Sequence, residues 1–402
     1  MIFTRHLCKQ ALRLALFTLL GCGAMGAQAE ATAPVHGLIF SCDAASRAEL
    51  PRAMTRYMRE LRIDPRWVSH TELADGRMAY TLKTSDTSTL DLARHAYLHL
   101  KNDVVVLVGP QNQPKRVSTV SKKEILLSLL HPGRATHFTG AACNVQALRE
   151  HVGVRQNIVA WLGKIEWVWP DGAPACWNPA IWNNGTPRNL NRLDEALLDA
   201  FLNPKSYALG CYTASKLSYA HGVLDYYQRV LKSAEKAQLV RLRLLYDQDP
   251  LLQIEPSVTW DFEPDYDPHK RPLPGKLLAI QRGVSAKHFV PGDWVYFINS
   301  DPITYADVGY EGSNAIYLGL GKFDDFYNDH HHAYTFKEKL NEVYQWRHGV
   351  FNHIRDAQKV HPLQQADYER LSQTPAQGGL LMDLRLTPYL FGYETLPLFP
   401  EE

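Results

Sequence analysis

Hydrophobic positions in the first third of this chain change period several times. Gly37 to Ser41 reads as a short strand, Ala48 to Leu61 as a helix, Met78 to Lys83 as a strand and Leu90 to Leu100 as a helix. Val104 to Gly109 is a continuous apolar run of the kind found in buried strands. Ser121-Lys-Lys-Glu124 has the spacing of a capping box and opens a helix that ends before Pro132. Strand and helix patterns alternating in this way predict a small α/β domain over residues 30–135. It has no phosphate-binding glycine loop and reads as a structural or recognition domain.

Residues 136–192 hold five tryptophans, Trp161, Trp167, Trp169, Trp177 and Trp182. Rings at this density suit a cap on the following core, or alternatively the wall of a ligand groove. Helical spacing then returns at Leu193, Ala196, Leu197 and Phe201, and Pro204 closes that helix. A second helix begins at or just after Cys211, with Gly210 as the bend and Leu217, Ala220, Leu224 and Tyr227 as its apolar stripe. It runs with breaks toward Gln238, and Leu239 to Tyr246 is a further apolar element. Asp249 to Pro274 is dense in Pro, Asp and Glu, a surface-loop composition. Strands are predicted at Trp294–Ile298 and Asn314–Leu318, the first after a Phe289-Val-Pro-Gly-Asp293 turn and the second before a Gly319–Gly321 hairpin turn. Lys337 to Trp346 is helical behind a Thr335-x-x-Glu338 capping box. Residues 193–372 thus form a second domain, and 373–402 an extension without helical period that lies over the surface.

The start of the chain has another character. Arg5, Lys9 and Arg13 precede the apolar run Leu14–Leu20, and Ala27-Gln28-Ala29 is a small-x-small cleavage site, so residues 1–29 read as a secretory signal peptide. The run is too short for a permanent membrane span. Leu19-Leu20-Gly21-Cys22 offers an alternative lipoprotein cleavage at Cys22. The expected location is therefore the periplasm or the exterior. Without Arg5, Lys9 and Arg13 the 43 Lys+Arg fall to 40, against 42 Asp+Glu. A chain so near neutrality, without a basic tract, excludes nucleic acid as an expected partner.

Cleavage after Ala29 leaves Cys42, Cys143, Cys176 and Cys211. In an oxidising compartment Cys143 and Cys176, which flank the Trp-rich segment, form the expected disulfide, and Cys42 is the odd residue. Cys211 sits at a helix N-terminus, where amide N–H groups and the helix dipole favour the nucleophilic thiolate. Cys143 also stands near a helix start and is the rival thiol. No Cys-x-x-Cys occurs. Asp325, Asp329, His330 and His332 have metal-ligand chemistry, but no His-Glu-x-x-His helix accompanies them, and neither a metal nor a cofactor is expected.

Tyr207-Ala-Leu-Gly-Cys-Tyr-Thr-Ala214, the helix before it, His288 to Asn299 and Gly312-Ser-Asn-Ala-Ile-Tyr-Leu-Gly-Leu-Gly321 together resemble the bacterial spore-coat type of protein-glutamine gamma-glutamyltransferase (Tgl), a compact relative of the NlpC-like papain fold. The resemblance covers about residues 193–347. It implies an α+β protein in which a papain-like cysteine domain with an antiparallel sheet follows the small α/β domain. It further implies Cys211 as nucleophile, partnered by a glutamate in a Gly-Glu-Asn segment and a histidine on the next strand. Here Ser313 stands at the glutamate position, and Gly210 replaces a second glutamate before the cysteine. Glu311 shares a strand face with Ser313 and is the substitute carboxylate. His330 lies nearest the histidine position, and His332 shares its face on an extended strand.

The expected reaction is acyl transfer through a Cys211 thioester, using a protein or peptide glutamine and an amine donor to form isopeptide cross-links, or water to deamidate. One rival is an NlpC-like peptidase or amidase acting on peptidoglycan, although Ser313 occupies the place of that group's histidine. The other is an inactive envelope binding protein on the same fold.

Overall fold

Asp43 accepts the amide of Ser46 at 2.8 Å and opens helix α1 (Ala44–Glu60) directly after strand β1 (Gly37–Ser41). The computed structural model describes residues 36–246, 278–351, 354–382 and 384–388, so the signal-peptide and Cys22 readings and the acidic loop lie outside the described residues. In the first sheet, β2 (Val68–Glu72) pairs with β3 (Met78–Leu82), β3 pairs antiparallel with β1, and β1 runs parallel to β6 (Ala135–Thr139). Helix α1 and α2 (Lys122–Leu130) cover it with Leu50, Met54, Ile125 and Leu129, all buried.

Two expectations change here. Leu90 to Leu100 forms two short 3₁₀ turns, Thr89–Arg94 and Ala96–Leu98. The apolar run at Val104 is not a buried strand but β4 (Asp103–Val108) of a two-stranded hairpin with β5 (Pro114–Thr119), in which Val104 and Val106 are 56% and 46% exposed. Val105 packs on the core, so alternation rather than continuous burial accounts for the pattern.

The register of β1 against β6, which pairs Ser41 with Thr139, also sets the cysteine chemistry. Cys42, next after Ser41, and Cys143, four residues beyond Thr139, come to a Cα–Cα distance of 5.3 Å and form the disulfide. This corrects the expected Cys143–Cys176 pair and removes Cys143 as a rival nucleophile. Cys176 is exposed and in no disulfide, because its backbone is held against Ala208 on another element.

Helix α3 (Val145–Leu162) is buried along most of its length and leads to the hairpin of β7 (Trp182–Asn183) and β8 (Thr186–Pro187). Then come α4 (Leu193–Leu202) and α5 (Cys211–Asp225), a π turn at Tyr226–Val230, and α6 (Ala234–Tyr246). Every residue of α5 from Tyr212 to Asp225 is buried, as expected of a helix enclosed on all sides. Four of the five tryptophans, Trp161, Trp167, Trp177 and Trp182, join the core around it.

The second sheet is antiparallel. Its order is β13 (Ala333–Thr335), β12 (Lys322–Asp324), β11 (Gly312–Gly319), β10 (Trp294–Ile298), β14 (Leu384–Pro388) and β9 (Leu278–Arg282). The stretch after residue 373 was expected to lie over the surface, yet Leu384–Pro388 is an inner strand, its Leu386 opposite Trp294. The segment lacks helical period, but Leu384-Arg-Leu-Thr387 alternates apolar and polar residues, a strand signal that the reading passed over. Helix α7 (Phe336–Gln345), with the predicted Thr335–Glu338 capping box, covers one face of the sheet; α5 lies on the other, and α8 (Gln365–Leu371) packs beside α7.

The capping box at α2 is only half formed. Ser121 accepts the Glu124 amide at 3.1 Å, but the Glu124 carboxylate turns away to accept Leu320 N–H, at 2.6 Å, in the hairpin after β11. Burial pushes this carboxyl up to about 7. A raised carboxyl is charged in the unfolded chain above about 4.3 but in the folded protein only above about 7. Its contribution to stability is therefore complete in acid and is lost as pH rises through 7. Glu124→Gln keeps an oxygen for Leu320 and never ionises. Denaturant unfolding should show the variant equal to wild type at about pH 3.5, below the unfolded value, and roughly 3 kcal/mol more stable at pH 8; equal stability at both pH values would refute this account.

Candidate active site

The chain enters the cysteine helix under tight backbone control. Val168 N–H donates to Tyr207 O and Leu209 N–H donates to Val168 O, both at 3.0 Å, while Cys176 and Ala208 exchange backbone bonds of 2.8 and 3.0 Å. Tyr327 Oη donates to Leu209 O at 2.8 Å. Gly210 is the N-cap of α5 in an extended conformation, without a side-chain cap and with no acidic residue in the first turn. The positive end of a fifteen-residue helix is thus not compensated by a carboxylate of its own first turn, and Cys211 is its first residue.

Strand β11 supplies the facing groups. Asn314 directs its backbone N–H at Cys211 Sγ, 3.3 Å away, and its side-chain Nδ2 at the same sulfur, 3.4 Å away. Nε1 of the fully buried Trp294 donates to Asn314 Oδ1 at 2.9 Å and so fixes which end of the amide faces the sulfur. Tyr296 Oη donates to Glu311 O at 3.1 Å, and a Cβ at residue 312 would fall 2.5 Å from that hydroxyl, so Gly312 is what lets the ring lie against the strand. Burial, and then the nearness of Cys211, push the Tyr296 phenol well above its ordinary value, which keeps it a donor.

Around the sulfur is a narrow cavity with room for about one water, ≈ 20 Å³. Aromatic rings wall it: Trp169 lies 5.3 Å from Tyr327 and 6.2 Å from Tyr310, and Tyr310 lies 5.3 Å from Trp346. Gly309, at φ +87°, carries the Trp169 ring 3.1 Å from where a Cβ would stand. Trp169 and Tyr327 also border an open groove of ≈ 490 Å³. Four tryptophans of the rich segment are therefore core, and Trp169 is a wall.

Among the described residues lining this cavity, the charged ones are Asp325 and Lys339. Asp325 accepts Asp329 N–H at 3.0 Å and His330 N–H at 2.6 Å. Lys339, on α7, is buried, 4.0 Å above the Tyr334 ring and 3.4 Å from Glu342 Oε2. Burial opposes its charge, yet Glu342, Asp324 and Cys211 hold the ammonium above its ordinary value. Next to this group Asp324 is fully buried and pushed up to about 7 by desolvation, with Lys339 pulling the other way. One Asp324 oxygen accepts Ile316 N–H, and Oδ2 has no hydrogen-bond partner.

The residues named from sequence fall in different places. Cys211 is at the cavity. Ser313 lines it, on the strand face opposite Asn314, since Ala315 and Tyr317 pack with α7 and Ile316 with α5. Glu311 turns its carboxylate onto Gly309 N–H at 2.9 Å. His330 lies over the cavity-lining Tyr334, ring centroids 4.2 Å apart. The three histidines are not on an extended strand: they occupy a turn, with His331 and His332 at φ +53° and +68°, so the two-residue alternation that paired His330 with His332 does not apply. Asp325 draws the chain into that turn by taking two of its amides. Among the described residues, no cluster of three or more His, Cys, Asp or Glu is placed to hold a metal ion.

Sequence reasoning passed over Lys339 and the amide of Asn314, and did not single out Trp169 from the other tryptophans. Lys339 did carry a signal, because it stands inside the Phe336, Leu340, Val343 stripe of an amphipathic helix, where a charge has to be matched or lost.

A cysteine at a buried helix N-terminus, facing amide donors on an antiparallel sheet, defines a papain-like cysteine protein. More narrowly, the chain belongs to the protein-glutamine gamma-glutamyltransferase family, whose model matches residues 138–348, just over half of the sequence. Among solved structures it is similar to the transglutaminase from Geobacillus stearothermophilus without its C-terminal extension, at 19% identity over 64% of this chain and 99% of that one, with a TM-score of 0.39. No curated protein matches it.

Proposed function

We propose that this protein is an exported cysteine acyl-transferase acting on protein-bound glutamine, with Cys211 as its nucleophile. The observation that carries the reading is the pair of Asn314 amide donors, 3.3 and 3.4 Å from a sulfur at the positive end of α5. Cys211 gives up its proton, and the thiolate adds to the glutamine carboxamide carbon. The carbon–nitrogen bond then breaks, the nitrogen takes a proton and leaves as ammonia, and a thioester remains. A primary amine resolves it to an isopeptide, or water resolves it to glutamate. The Asn314 N–H groups also offer stabilisation to an oxyanion formed beside the sulfur. Export rests on the signal-peptide pattern of residues 1–29 and on the Cys42–Cys143 disulfide, which persists in oxidising compartments.

Glu311 and His330 enter this proposal as supports of the cavity wall, the first through Gly309 and the second through Tyr334. Glu311→Gln keeps an oxygen for Gly309, so turnover is expected within about threefold of wild type. A loss of roughly 10²-fold or more, the scale of general acid–base help, would instead make the carboxylate a direct partner of the thiol. The assay is ammonia release from a glutamine peptide together with incorporation of a fluorescent primary amine. If wild type gives neither product, the transferase reading fails.

A further inference from the structure

Gly210 and Ser313 stand where the resemblance implies carboxylates before the cysteine and on the facing strand. The charge beside the thiol has to come from elsewhere. Cys211 and Lys339 line the same narrow cavity, which has room for about one water, ≈ 20 Å³. Lys339 is the only Lys, Arg or His among its described lining residues, and the residue is 6% exposed. We propose that the buried ammonium of Lys339 is the countercharge of the Cys211 thiolate, a positioning residue that acts through the sulfur in place of an imidazole or carboxylate partner.

The surroundings fit that part. A lysine enclosed by Tyr334, Leu340 and the sheet would lose its proton unless anions compensate it, and Glu342 at 3.4 Å is one. The other anions acting on Lys339 are Asp324 and Asp325, from β12 and the loop after it; burial raises the phenols of Tyr296, Tyr310 and Tyr334 and keeps them neutral donors. Asp325 is engaged by two amides, and Asp324, pushed up to about 7 by burial, is only partly ionised near neutrality. Lys339 therefore keeps electrostatic reach toward the sulfur beyond its ion pair with Glu342. That Cys211 is among the groups sustaining the Lys339 charge is the same interaction seen from the other side. On ionisation the thiol proton goes to solvent while Lys339 keeps its own, so one S–H bond breaks and an ion pair forms in a poorly hydrated site, where it is strongest.

This inference rests on Cys211 being the reactive thiol, but its test does not depend on turnover. The ultraviolet absorbance of the thiolate is titrated as the difference between the protein and its Cys211→Ser variant, which requires no reagent to enter the cavity. The expected midpoint lies at least about one unit below the ordinary thiol value of about 8.5. Lys339→Met should raise it by about one unit, a tenfold loss of thiolate at pH below the midpoint, and Lys339→Arg should largely restore it. Because Lys339→Met leaves Glu342 uncompensated, the same titration is made in Glu342→Gln/Lys339→Met. A wild-type midpoint at or above about 8.5 overturns the proposal without any variant. So does a midpoint unmoved by loss of the lysine in either background. A low, lysine-dependent midpoint without ammonia release would instead sustain this inference and sink the transferase reading.

Discussion

Cys211→Ala is expected to abolish ammonia release from a glutamine peptide, by about 10⁴-fold or more, with little change in fold. Acyl transfer through a thioester has no route without the sulfur, and removal of a nucleophile leaves only what binding and oxyanion donors contribute. The structural cost is small for two reasons. Cys211 is half-buried at the rim of a cavity, so the change deletes one sulfur without opening a void inside the packed core. The first turn of α5 keeps its backbone, including the 2.8 Å bond from Ser215 Oγ to the carbonyl of residue 211. Stability should stay within about 1 kcal/mol, measured by denaturant unfolding next to the activity assay. Full activity in this variant would end the transferase assignment, and the exposed Cys176 would be the next thiol to test.

Asp293→Ala is expected to be the most damaging single change to stability, at about 3–5 kcal/mol, and to reduce activity with it. Asp293 is fully buried at the turn before β10 and accepts Arg134 Nη2 at 3.0 Å, Arg155 Nη1 at 2.9 Å and Val290 N–H at 2.9 Å, with a second contact from Arg134 Nη1. Its loss leaves two buried guanidinium groups without their carboxylate. The damage extends to the site because Trp294, the next residue, orients the Asn314 amide. Burial by itself raises an aspartate, but Arg134 and Arg155 outweigh it and hold Asp293 below its ordinary value. A lowered carboxyl contributes stability above its unfolded value of about 3.9 and loses it as pH falls through the folded value. The gap between wild type and variant should therefore be full at pH 7 and narrow below pH 4. A variant within 1 kcal/mol of wild type at pH 7 would show that the cluster does not hold the fold together.

Local pattern settled a definite part of this protein. The helix starting at Cys211, the capping box at Thr335 and strands near Trp294 and Asn314 follow from period, breakers and caps over a few residues, and the structure has them in place. The ordered set of motifs around Cys211 also pointed to the right family. What the tertiary structure decided depends on distant partners. Cys42 meets Cys143 because two strands far apart in sequence run parallel in one register, and nothing beside either cysteine encodes that neighbour. Leu384–Pro388 is a strand because β9 and β10 leave a space for one. The histidines leave the extended path because Asp325 takes two amides of their turn, and a capping glutamate abandons its own helix for Leu320. Lys339 stands in the apolar stripe of its helix, which marks it as a charge to be matched but does not say by what. Its place on the cavity that Cys211 also lines exists only once α7 and α5 pack on either side of β11, since burial and a shared cavity are properties of the packed chain and not of any window of it.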